Sequence, residues 1–101
     1  MEEISFEDFN LEEEERKRIM ETYDKGLLEE VMNRKEVVLK NIYLLEQYGI
    51  DFTHALLVSY LPLFLTEEEL LKEKMEQLIE ELGEDYLEQI RNDLSLIGSL
   101  I

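Results

Sequence analysis

Glu69, Glu73, Glu76, Glu80 and Glu84 recur every three or four residues. On a helix that spacing sets carboxylates in a row along one edge, a turn of about 5.4 Å apart. Duplex DNA presents a charge about every 3.4 Å along each strand. The two spacings are of the same order, so the row can stand in for a phosphate backbone on a basic groove. A solvated face kept soluble by charge has the same pattern, although solubility alone requires fewer acids. Glu12 to Glu15 form a second acidic run. From these residues the expected partner contacts are Glu69, Glu73, Glu76, Glu80 and Glu84, with Glu12 and Glu13 as a second patch.

Other chemistry is sparsely provided. His54 is the single histidine, and Asp51 stands three residues before it. A di-iron bundle needs two Glu-x-x-His motifs with further glutamates. A zinc site needs three or four converging ligands. One histidine meets neither requirement, so His54 reads as a helix-start residue on or near the core. With no cysteine there is no thiolate ligand or nucleophile, and the composition fits a reducing compartment such as the cytoplasm. No phosphate-cradling glycine loop, calcium loop or Gly-x-Ser-x-Gly elbow occurs. The reading is a non-enzyme without catalytic residues, metal or other cofactor.

Charge separates the chain into three parts. Twenty-six acids against ten bases give a net −16. Residues 1–36 hold thirteen acids and six bases, residues 37–66 two acids and one base, and residues 67–101 eleven acids and three bases. Such a field repels nucleic acid and anionic lipid and draws basic surfaces. Direct nucleic-acid binding and membrane docking are therefore not expected. The apolar stretch at 52–65 is shorter than the ~20 residues of a membrane span, and Pro62 interrupts it.

The elements that position these residues are helical throughout, because apolar residues recur at three and four rather than two. Residues 1–9 read as a frayed arm, or as a segment whose aromatics dock. Asn10 and Glu13 are placed to cap a helix over Asn10–Asp24, with Glu12, Glu13 and Glu14 each four residues before a base. Lys25-Gly26 reads as its stop. A segment from Leu27 breaks at Asn33, where Glu36 completes a capping pair. The next helix runs to Tyr48, and Gly49 turns it off. Asp51 reads as the cap of a central helix, Phe52–Tyr60, apolar almost all round and ended by Pro62. Thr66 and Glu69 read as the capping box of a long helix with Leu70, Leu71, Met75, Leu78, Ile79 and Leu82 inward, stopped at Gly83. Tyr86, Leu87 and Ile90 mark a short helix before an apolar tail. Tyr43, Tyr48, Tyr60, Phe64 and Tyr86 read as core.

The chain repeats itself at an offset of 34 positions. Leu44, Leu45, Tyr48, Gly49 and Phe52 fall on Leu78, Ile79, Leu82, Gly83 and Tyr86. A period in this range denotes stacked helical units. The helix ending Leu45-Glu-Gln-Tyr-Gly49, the short helix after it and the Leu61-Pro62-Leu63-Phe64 turn resemble the helical repeat of the mitochondrial transcription termination factors. The likeness spans roughly residues 37–97. It implies stacked helices and a basic concave face for nucleic acid. This chain departs from that family at Glu73, Glu76, Glu80, Glu81 and Glu84, acids where the binding face would be basic.

The expected fold is one all-α domain over residues 1–101, five or six short helices packed as two near-repeats around a central apolar helix. The expected function is docking on a basic protein surface, in its most concrete form a nucleic-acid mimic of the phage anti-restriction or anti-CRISPR kind. The alternative is a helical scaffolding module that uses an apolar groove or a homodimer interface. Monomer and homodimer both remain open.

Overall fold

The computed structural model describes residue 9 and residues 11–100. It is all-α, with seven helices among the described residues where five or six were expected. They are α1 (Glu13–Thr22), α2 (Lys25–Asn33), α3 (Lys35–Gln47), α4 (Thr53–Ser59), α5 (Glu68–Leu82), α6 (Tyr86–Asn92) and α7 (Ser95–Gly98). A 3-10 segment, Leu61–Leu65, lies between α4 and α5. The body measures 46 × 26 × 20 Å.

Helix α3 is the hub. It packs on α2, α4, the 3-10 segment and α5, while α1 packs on α4, and α6 joins α5 to α7. Val38, Leu44 and Leu45 form its inward stripe, and the fully buried side chains of Leu56, Leu57, Leu61, Leu63 and Phe64 come from the chain after it. The nearly chargeless centre is therefore core, as its composition requires. Helix α4 is not enclosed all round, however: Ala55 and Ser59 are exposed and His54 is half-exposed. Neutral composition gave no polar face to mark the open side.

Gly49 ends α3 in a left-handed turn (φ +92°). Its N–H donates to Glu46 O at 2.9 Å, and Ile50 N–H donates to Leu45 O at 3.2 Å. These two reverse bonds satisfy carbonyls that every helix end orphans, and buried Ile50 and Leu45 come from the two sides of the turn.

Pro62 breaks the next helix for two reasons. It has no N–H for Val58 O, and its ring disfavours helical geometry at Leu61. The Tyr23 hydroxyl repairs the damage, donating to Val58 O at 2.9 Å and accepting from Leu61 N–H at 3.1 Å. Below the break, the fully buried Asn41 donates through Nδ2 to Phe64 O at 2.8 Å and Thr66 O at 2.6 Å. This amide ties the irregular backbone leading into α5 to α3, beside the segment's own bond from Thr66 N–H to Leu63 O at 3.2 Å. Among the described residues its Oδ1 has no partner.

Several caps differ from the sequence reading. Asn10 lies outside the described residues; α1 is capped by Glu12, whose N–H donates to Glu15 Oε1 at 2.9 Å. Lys25-Gly26 does not stop a helix but opens α2, with Asp24 accepting from Leu27 N–H at 2.8 Å. Asp gives a stronger cap than Lys-Gly gives a stop, so the helix restarts at once. Asp51 caps nothing. The N-cap of α4 is Phe52, and Asp51 instead meets Arg91 Nη2 at 3.1 Å. Thr66 caps nothing either, since α5 begins from Glu67 with no side-chain cap.

Candidate partner-binding surface

Helix α5 places Glu69, Glu73, Glu76 and Glu80 within about 60° of arc, about 160° away from its inward Leu71, Met75, Leu78 and Leu82. The row is thus the outermost crest of the helix rather than its edge. It is about 16 Å long, and all four glutamates are exposed. Glu84 is exposed but leaves the row, because α5 ends at Leu82 and Gly83 (φ +84°) redirects the chain. Glu12 and Glu13 are exposed at the start of α1, which packs on α4. The two acidic stretches are therefore carried by different helices of the core.

No described cation neutralises the crest. Ion pairs between described residues are Lys25–Glu29 at 4.0 Å, Arg34–Glu30 at 3.6 Å, His54–Glu15 at 3.4 Å and Arg91–Asp51 at 3.1 Å. None involves α5. Of its lysines, Lys74 donates to Leu100 O at 2.8 Å and fastens the tail. On α1 the expected Glu12–Arg16, Glu13–Lys17 and Glu14–Arg18 pairs do not close among the described residues. Exposed pairs of this kind contribute only about 0.3 kcal/mol, too little to fix long side chains.

One crest residue has a neighbour from the core. Tyr48, half-buried at the end of α3, has its phenol pushed above its ordinary value of 10.0, first by burial, then by the Glu76 carboxylate and hydrogen bonding to it, and last by Tyr86. The Tyr86 hydroxyl donates to Tyr48 O at 2.6 Å. Glu76 is thereby placed beside the α3–α6 contact, while Glu69, Glu73 and Glu80 stand clear.

His54 is half-exposed, not on the core, and meets the Glu15 carboxylate at 3.4 Å. Beside it, an open cleft of about 290 Å³ separates the cap residue Glu12 and Glu14, Glu15 and Arg18 of α1 from Ala55, Val58 and Ser59 of α4. Among the described residues no three His, Asp or Glu side chains gather where they could hold a metal ion, and no helix is long and apolar enough to cross a membrane.

Sequence periodicity misplaced some apolar side chains. Tyr43, read as core, is 64% exposed, and Leu70, read as inward, is 44% exposed. Leu39 and Tyr43 lie one turn apart on the outward face of α3. The polar residues that hold the interior, Asn41 and Tyr23, gave no functional signal in the sequence. For Tyr23 the hint was Pro62, which guarantees an orphaned carbonyl four residues earlier. Comparison with protein-family models, curated proteins and solved structures finds no match to this chain.

Proposed function

We propose that this protein is a non-enzymatic acidic module that docks on a basic protein surface, as a mimic of nucleic acid toward a nucleic-acid-binding protein. The observation that carries the reading is the α5 crest: exposed glutamates, with no ion pair among the described residues, set diametrically opposite the core. Leaving them without a neutralising cation raises the self-repulsion of a chain at −16. A basic groove would relieve that repulsion and release its own bound anions. Glu69, Glu73, Glu76 and Glu80 form the contact, with Glu84 beyond the corner and Glu12 and Glu13 as a separate patch. A cytoplasmic site of action belongs to the same proposal.

The test is competition. Basic, sequence-nonspecific DNA-binding proteins are titrated with the protein in the presence of duplex DNA, at low and moderate salt. Affinity should fall steeply with salt and DNA should displace the protein. The variant with Glu69, Glu73, Glu76 and Glu80 all changed to Gln should bind roughly tenfold or more weakly. Binding indifferent to salt removes the proposal.

A second reading, a helical scaffold on stacked units of about 34 residues, rests on exposed Leu39 and Tyr43. It predicts a salt-insensitive homodimer in sedimentation, weakened by Tyr43→Glu.

A further inference from the structure

We infer that α1 is a latched arm, and that the Tyr23 hydroxyl makes its docking and the helix break before Pro62 one cooperative unit. The argument begins with backbone accounting. In a continuous helix Val58 O would accept from residue 62, but that residue is proline. Tyr60 N–H still reaches Leu56 O at 2.7 Å, and Leu63 N–H reaches Tyr60 O at 3.0 Å. Between them Val58 O and Leu61 N–H are left over, and the fully buried Leu61 side chain keeps its backbone close to the core. One hydroxyl satisfies both, as donor to the carbonyl and acceptor from the amide. It belongs to Tyr23, the residue that ends α1.

Helix α1 packs on α4, and Phe9 and Leu11 just before it are buried in the core. Of its ten residues only Ile19 is buried. Glu15 meets His54 at 3.4 Å across a half-exposed contact. A ten-residue helix does not persist in water without its docking face, so α1 is either seated or melted. When the latch opens, two backbone groups lose their partner together, and the Glu12–Glu15 run leaves α4. The arm and the break therefore open as one, while α3, the 3-10 residues held by Asn41, and α5 remain in place.

Native-state hydrogen exchange on the full chain tests this. Tyr23→Phe should speed exchange across residues 13–22 and at Leu61 by a common factor of roughly tenfold, with α3 and α5 unchanged. Pro62→Ala restores an N–H that can serve Val58 O. In that background Tyr23→Phe should lose most of its effect. Tyr86→Phe, which removes a hydroxyl at the far end of α3, should leave α1 untouched. Faster exchange at Leu61 alone overturns the inference, because the break would then be independent of the arm. Uniform acceleration over the whole chain, or failure of Tyr23→Phe to fold, overturns it too, since the hydroxyl would then hold the global fold.

Discussion

After α3, Gly49 closes the helix with two reverse backbone bonds and turns the chain into α4. After α5, Gly83 also has positive φ (+84°), but ψ is −158° and its N–H still bonds within the helix, to Ile79 O at 2.8 Å. There a side chain finishes the work: Gln89 Nε2 donates to Leu82 O at 2.9 Å from α6. The surroundings differ as well. A Cβ on Gly49 would lie 2.9 Å from Leu87 Cδ1, whereas one on Gly83 would meet nothing within 4 Å. One residue type at one apparent position thus serves two jobs, a packed self-capped corner and an open one capped from outside. The same contrast appears 34 positions apart inside the helices. Asn41 and Met75 are both fully buried, yet Asn41 serves two carbonyls and Met75 is packing alone.

The largest expected effect lies at that inner pair. Asn41→Leu strands Phe64 O and Thr66 O in the interior and should cost about 3 kcal/mol, which at this chain length lowers Tm by roughly 10–20 °C. Met75→Leu should cost less than about 1.5 kcal/mol. Thermal denaturation followed by circular dichroism checks both. Equal losses would mean that the amide does not organise the entry to α5.

The corners come next. Gly49→Ala and Gly83→Ala should each cost about 1–3 kcal/mol through backbone strain, the second despite the open space around it, because its φ and ψ fall in a region nearly exclusive to glycine. Leu87→Ala separates them. It should relieve part of the Gly49→Ala loss and none of the Gly83→Ala loss in a double-mutant cycle. Gln89→Ala should cost about 1 kcal/mol and act on the α5 end alone, visible as faster amide exchange in its last turn.

Both glycines were legible as stops, and so was the all-α class, because helical spacing and left-handed termination are local properties. The buried centre was legible too, from its lack of charge. Cap assignments failed where a nearby residue offered a better bond: Glu12 capped α1, Asp24 restarted the chain at α2, and Arg91 drew Asp51 away. The first two are local bonds, three residues apart, in which a neighbouring residue won the competition for the cap; the third depends on a partner 40 residues distant, which a window cannot contain. The acidic row was legible as a spacing, but its place on the outer crest and the loss of Glu84 around the corner required the helix end. Asn41 and Tyr23 were silent because an amide or phenol among leucines looks the same whether or not a carbonyl waits opposite.

The smallest effect lies at Tyr48, where the end of α3 meets Glu76 of α5 and Tyr86 of α6. Its phenol is raised above 10.0 in the folded protein, by burial first and then by Glu76. In the unfolded chain it ionises near its ordinary value, so the unfolded state releases that proton first as pH rises. The associated stability is fully present below about pH 10 and is lost between there and the raised folded value. Tyr48→Phe should flatten this alkaline decline while leaving stability at neutral pH little changed, because the half-buried ring remains. Glu76→Gln should flatten it only in part, since burial is the larger cause. Denaturant unfolding at a series of alkaline pH values separates these outcomes. An equal alkaline decline in wild type and Tyr48→Phe would place the sensitivity in the other tyrosines and lysines, and would remove Glu76 from the contact that ties the acidic crest to the end of α3.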